Sequence, residues 1–400
     1  MSFSAYVFFI QSPDGGSWKR LCEAVRHLSK KSTCYIVSYG GNCPEDIRAN
    51  KNVNNIGMNL PNKLKNTVSY SILSLFPLLK VLIKEKGKKV WVGSFSANAG
   101  FAVSLLSLVV DYKVFCVRRG ANLRRRKIRN KKSKNNKRID RIKNYISIKI
   151  HKAIAKVMLN SADILISQTQ NGLKQLQMEY SGHIPTRCYV LRNNLNATWI
   201  EDKKKRAIEN PTNMEDKKFN VCFVGRMEMV GKGVDSLLKA ANVINKSNVN
   251  FHLIGDGVDL QDVRRYVENK NMEKFVKIYG WMDNPLRAMV SSDLTVVPSR
   301  VDPCPNVVLE SLAVGTPVIG ANNGGIKAML SNEELLFDPN NPKEIANKIC
   351  SIASDEEYLS YIEDICLSRR DVHKFDWGYE FEKILANYNA TGNTCKTVNE

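Results

Sequence analysis

The chain reads as an α/β protein of two doubly wound parallel-sheet domains, and three observations predict it. Short, apolar, β-branched runs alternate with amphipathic helical patterns along most of the length, as buried parallel strands and their crossover helices do. The 400 residues exceed one ordinary core and suit two of roughly 150 to 200 residues each. A hydrophobic content of 43% is that of a globular protein.

In the front half, residues 5–11 read as a strand, 13–16 (Pro-Asp-Gly-Gly) as a turn, and 17–30 as a helix with Leu21, Val25 and Leu28 on one face. Strands follow at 34–38, 90–92, 114–117 and 163–167, and the strand at 190–196 approaches a hinge. Gly15 and Gly16 would let a sugar or phosphate come close to the backbone, although a plain tight turn explains them equally well. The boundaries are an N-terminal domain at 1–200, a charged linker with one proline at 201–218, a C-terminal domain at 219–370, and a helix and tail at 371–400. That helix begins at Phe375-Asp-Trp377 and carries Phe381, Ile384 and Leu385 on one side, and the polar tail after Asn389 reads as frayed.

The chemistry concentrates in the back half. Phe219-Asn-Val-Cys-Phe-Val is a strand ending in Gly225-Arg226, and Gly231-Lys232-Gly233 follows before a helix. Two cations at a strand's carboxyl end suit a diphosphate, the guanidinium forking onto two oxygens and the ammonium acting as a point charge. Strands at 251–257 and 276–281 end in the glycine turns of Gly255 and Gly280, and ligands of open α/β sheets bind at such ends. Residues 293–298 form a further strand, Asp302 lies in the loop after it, and Asn306 reads as the N-cap of a helix that carries Glu310 and stops at Gly315. A phosphate would fit the helix start, with Glu310 accepting from vicinal hydroxyls and Asp302 reaching a second ring. Two acids at this spacing are more often solvated side chains beside a βα junction, and it is the surrounding segments that decide against that.

Gly225-Arg226, Lys232-Gly233, Ile254-Gly-Asp-Gly257, Tyr279-Gly-Trp281, Pro298-Ser-Arg300, the acid pair and Gly315-Thr-Pro-Val-Ile319 stand in this order. Each motif alone is weak. The ordered set resembles the C-terminal domain of glycosyltransferase family 4, strongly over residues 219–340 and in outline elsewhere. That resemblance implies retaining transferases of the GT-B fold, in which two Rossmann-like domains face a central cleft and the last helix returns to the first domain. It implies that Arg226 and Lys232 hold the donor diphosphate, Glu310 the ribose and Asp302 the transferred sugar. The amides near Pro305, Asn306 and Val307 would meet phosphate or sugar, the backbone of Gly280 and Trp281 the base, and Gly15, Gly16, Gly225 and Gly255 would sit in donor-binding turns. Two departures stand out. Many members carry Glu where this chain has the shorter Asp302, and the His common in their N-terminal domain is replaced by Val114-Phe-Cys-Val-Arg118-Arg119-Gly120. Arg119, or Arg118, is then the candidate to stabilise leaving-group charge or orient an anionic acceptor, though neither can act as a base. His151 reads as a surface residue.

The charge is local. Of the net +21, residues 118–157 supply 17 Lys and Arg against one acid, Asp140. Residues 124–138 are nearly free of apolar side chains and read as a loop, whereas 139–159 place Ile142, Ile146, Ile150 and Ile154 among lysines, an amphipathic helix. Each basic residue near an anionic bilayer contributes about 1 kcal/mol, so segment 124–157 predicts peripheral attachment to the inner face of the cell membrane. No aromatic platform is interleaved with these charges, which argues against a nucleic-acid partner. No stretch is long enough to span a bilayer. The 10 cysteines show no metal spacing and read as reduced cytosolic thiols, and no signal peptide is apparent at the N-terminus.

The expected reaction is transfer of a hexose from a nucleotide-diphosphate sugar to a hydroxyl of a lipid-linked surface saccharide, with retained configuration. No cofactor is expected: no glycine fingerprint of the dinucleotide type occurs, and no Asp-x-Asp pair offers Mg²⁺ or Mn²⁺ a seat. Two other readings stay open, a sugar-nucleotide 2-epimerase of the same architecture and a non-enzymatic basic adaptor on membrane or nucleic acid.

Overall fold

The structure, a computed structural model, describes residues 4–10, 15–38, 43–58, 67–95, 100–107, 109–118, 138–195, 197–214, 217–244, 248–389 and 396–397. Chain contacts divide it into two units. The first holds the described residues up to Asn193 together with those from Asp376 onward, and the second runs from Asn194 to Phe375.

The strands of the first unit are β1 (Ala5–Ile10), β2 (Thr33–Ser38), β3 (Val53–Gly57), β4 (Val90–Ser94), β5 (Lys113–Arg118), β6 (Ile164–Ser167) and β7 (Arg187–Val190). Those of the second are β8 (Phe219–Val224), β9 (Val249–Ile254), β10 (Val276–Gly280), β11 (Leu294–Val297), β12 (Val318–Ala321) and β13 (Leu336–Phe337), and β14 (Lys396–Thr397) returns to the first. The sheets run β14-β7-β6-β5-β4-β1-β2-β3 and β10-β9-β8-β11-β12-β13, with every pairing parallel. Strand order therefore reverses between β1 and β4 in one sheet and between β8 and β11 in the other. Chains leaving two such strands diverge to opposite faces, so a crevice opens at their carboxyl ends.

Apolar strands fix both cores. In the first unit Val7, Phe9, Val92, Val114 and Leu165 face one cluster with Leu78, Val103 and Met158 of the crossover helices. On the other face Phe8, Phe95 and Phe115 pack with Trp377 and Phe381 of the helix Trp377–Ala386. That helix lies so close to the helix Gly15–Leu28 that a Cβ at Gly378 would sit 2.5 Å from His27 Cβ and 2.8 Å from Glu23 O. Glycine is what permits the approach.

Three expectations are corrected. Residues 201–209 are no linker: they belong to the helix Ala197–Glu209, which packs within the second unit against the helices Leu286–Val290 and Asn306–Val314. Its run of lysines is the solvated side of an amphipathic helix whose Ile200 and Ala207 are buried. Gly15 and Gly16 are not in a turn but open the first helix. The tail beyond Asn389 is not wholly frayed, since Lys396–Thr397 pairs with Tyr189 and Val190. The polar edge strand β3, Val-Asn-Asn-Ile-Gly, lacks the apolar pattern that would have revealed it.

One buried polar contact spans β8, β9 and β10. His252, fully buried, has Nδ1 2.9 Å from the Tyr279 hydroxyl and Nε2 2.9 Å from Asn220 Oδ1. Burial, with Lys277 nearby, depresses its pKa to about 4. The folded chain thus stays neutral there while the unfolded chain takes up a proton below its ordinary value of about 6.5. Stability is complete above that value and is lost as pH falls towards 4, by up to about 3 kcal/mol. Denaturant titrations at pH 7 and 4.5 should show a smaller difference in His252→Gln than in wild type, and an unchanged difference would refute the assignment.

Candidate functional site

Of the predicted donor residues of the second unit, Gly225, Arg226 and Lys232 follow β8 and those from Asp302 to Glu310 follow β11, the two strands at the reversal of strand order, whereas Gly255 follows β9 and Gly280 and Trp281 lie at the end of β10. After β8 the chain passes Gly225, whose amide donates to Ile254 O at 3.0 Å, and turns through Arg226. It crosses the loop after β9 so closely that a Cβ at Gly255 (φ +132°) would sit 1.9 Å from Gly225 O, and one at Gly257 2.7 Å from the Met227 backbone. The Asp259 carboxylate accepts from the Met229 amide at 2.8 Å. The glycine at 255 is therefore required by the crossing of two backbones, whatever binds there. Gly233 (φ +72°) makes the next crossing, since its Cβ would stand 1.9 Å from Pro298 O at the end of β11.

On this frame lie the charges. Lys232 Nζ donates to Asp302 Oδ2, with both side chains largely buried. Arg226, 53% exposed, pairs with Glu228 at 2.6 Å. The two predicted phosphate ligands thus stand beside carboxylates, and Lys232 and Asp302, expected to act on different parts of the donor, touch each other.

Residues the sequence reading passed over hold this arrangement. Arg300 forks onto Asp235 (2.6 and 3.3 Å), donates to Val230 O at 3.0 Å and to Asn340 Oδ1 at 2.8 Å, and reaches Ser236. It ties the loop after β11 to both ends of the Lys232 loop. Asn323 accepts from the amides of Gly325 and Ile326 at 3.1 Å and donates to Ser299 O. The following helix, Gly324–Leu330, presses on the acid's loop: a Cβ at Gly325 would meet Pro303 O at 2.3 Å and Asp302 O at 2.4 Å. The signals were present in Pro-Ser-Arg300 and in Asn323 ahead of two glycines, an N-cap pattern.

The helix that carries Glu310 is Asn306–Val314, ended by Gly315 at φ +87°. Its N-cap is Pro305 and not Asn306, and Pro305 gives no side-chain cap. Pro305 is the last extended residue, so the helix starts at Asn306, one residue earlier than the sequence suggested. Asn306, Val307 and Glu310 are half-buried on its first turns and Pro305 is buried. Gly280 has φ +74° with nothing within 4 Å of a Cβ, and Trp281 is 78% exposed. Arg119 lies outside the described residues; Arg118 ends β5, half-buried. His151 is half-buried on the helix Arg138–Asn160, with Nδ1 2.7 Å from Ser147 O of its own helix. Among the described residues no cluster of three His, Cys, Asp or Glu could hold a metal ion, and no helix is long and apolar enough to cross a membrane.

Two parallel α/β sheets, each with one reversal of strand order, define a doubly wound two-unit protein, and the fold is that of the GT-B glycosyltransferases. It resembles the crystal structure of Anabaena HepE in complex with UDP with a TM-score of 0.71 at 14% identity, over 96% of this chain and 100% of that one. Residues 204–364 match the family model of glycosyl transferases group 1. An uncharacterised glycosyltransferase of Methanocaldococcus jannaschii is 27% identical over 194 residues, 46% of this chain and 47% of that protein. A Campylobacter jejuni enzyme is 22% identical over 219 residues, 54% of this chain and 58% of its own. It is the N-acetylgalactosamine-N,N'-diacetylbacillosaminyl-diphospho-undecaprenol 4-alpha-N-acetylgalactosaminyltransferase. The chain spans about half the length of the curated relatives it matches.

The crossings give a prediction. Gly325→Ala forces the Asp302 loop outward and should cost about 1–3 kcal/mol, together with weakened nucleoside-diphosphate binding by calorimetry. Gly280→Ala, with open space around it, should cost only the strain of its positive φ, about 1–2 kcal/mol. Equal nucleotide affinity in Gly325→Ala and wild type would contradict the role given to that contact.

Proposed function

We propose that this chain is a retaining glycosyltransferase that moves a hexose from a nucleotide-diphosphate sugar to a hydroxyl of a lipid-linked saccharide. The observation that carries the reading is the contact of Lys232 with Asp302 between the loops after β8 and β11, at the strand-order reversal, the first of these loops also carrying Arg226. A diphosphate arriving there draws Lys232 and Arg226 from their carboxylates. Asp302 is thereby released to accept from hydroxyls of the sugar, and Glu310 takes the ribose. As the bond from the anomeric carbon to the β-phosphate oxygen breaks, its electrons stay on that oxygen, where the two cations and the start of the helix Asn306–Val314 stabilise them. The acceptor oxygen bonds to the anomeric carbon on the face being vacated, which keeps the configuration, and its proton passes to the leaving phosphate oxygen. No metal is needed in this scheme.

The name of the Campylobacter relative puts its acceptor on diphospho-undecaprenol, which supports a lipid-linked acceptor of a surface polysaccharide or lipopolysaccharide here. The basic segment 124–157 supports working at the cytoplasmic face of an anionic membrane. The test is nucleotide release from a panel of UDP-, GDP- and ADP-sugars, with and without membrane extract. Lys232→Ala should lower turnover about 10²- to 10³-fold with every donor alike, whereas Asp302→Ala should change the ranking among sugars. The reverse pattern would overturn the two roles.

A further inference from the structure

Three neighbouring helices of the first unit share one buried cluster through Leu78, Leu82, Val103, Leu106, Ala155 and Met158. They are Leu75–Lys84, Gly100–Leu106 and Arg138–Asn160, and the middle one packs against both others. Their outer sides are not wholly polar, as solvated helices of a parallel sheet ordinarily are, but mix apolar with basic side chains. Phe76 is 69% and Ile83 66% exposed, Leu79 lies between them at helical spacing, and Leu105, Ile146 and Ile150 are exposed on the other two. Lys80, Lys84, Lys149 and Lys156 are exposed among them. The first two helices hold no acid and the third holds one, Asp140.

We propose that these helices form a surface that inserts Phe76, Leu79 and Ile83 into an anionic lipid bilayer while the lysines meet its headgroups. The inference rests on the reading above that places the basic segment at a membrane, and not on which sugar is moved. Apolar side chains alone would suit a second copy of the chain. The lysines decide against it, because pairing this face with itself sets cation against cation, whereas an anionic bilayer takes both the charge and the apolar stripe. Exposed apolar patches of this extent on a globular unit mark an interaction surface.

Flotation of the full chain with phosphatidylcholine vesicles, with and without phosphatidylglycerol, tests this. Wild type should bind only the anionic vesicles. Phe76→Ser/Ile83→Ser should bind them about 100-fold more weakly, roughly tenfold for each large apolar side chain withdrawn, with nucleotide release in the absence of lipid unchanged. Phe76→Trp should shift its emission to the blue on these vesicles and be quenched by brominated acyl chains. Undiminished binding of the double variant, or no emission shift, overturns the inserted stripe but leaves the basic segment's role standing. No binding by wild type removes both, while nucleotide release still reports on the transferase reading. Self-association that is lost in the double variant, without lipid binding, would assign the face to a second copy instead.

Discussion

The pairing of Lys232 with Asp302 is the constraint on which the site depends. Each group is mostly withdrawn from water, and an isolated charge in such a place is strongly disfavoured unless a partner offsets its lost hydration. The pair meets that requirement, whereas Arg226, paired with Glu228, stays half in water. In the donor-binding role proposed for this site, an entering diphosphate would exchange one set of compensated charges for another.

The loops that carry these groups are held close against one another. Their positions are set by backbone contacts that admit no side chain: Gly233 against Pro298, Gly255 against Gly225 and Gly325 against Asp302 and Pro303. Arg300 adds a directional link, since its planar fork must satisfy Asp235, Val230 and Asn340 together. Lysine at that position would keep the charge and lose the geometry. Arg300 and Asn323 thus fix the positions of the loops that carry Lys232 and Asp302.

Sequence made the back half legible because its strands are mostly apolar and run into glycine or charge, two signals with separate physical causes. Phe219–Val224 and Leu294–Val297 fell within a residue or two of the expected runs. The helix stop at Gly315 followed from its left-handed φ. What stayed hidden was relational. Nothing in local pattern says that Lys232 and Asp302, 70 residues apart, will touch, or that the charged run after Ala197 is the wet side of a helix. The edge strand Val53–Gly57 escaped because an edge exposed on its sides needs no apolar alternation.

The two units differ in how much their sequence is constrained, and the comparisons reflect it. The family match covers 204–364 alone, while the likeness of fold covers 96% of the chain at only 14% identity. A parallel sheet with covered faces asks only for apolar strands and crossover helices, which many sequences supply. The second unit adds glycines where backbones cross, cations after a strand end and an acid on the neighbouring loop. The first unit carries no comparable set among its described residues: Gly15 and Gly16 simply open a helix. Its distinguishing features are instead the lysines and exposed apolar side chains of its outer helices, which act through area and charge and need no fixed motif to do so.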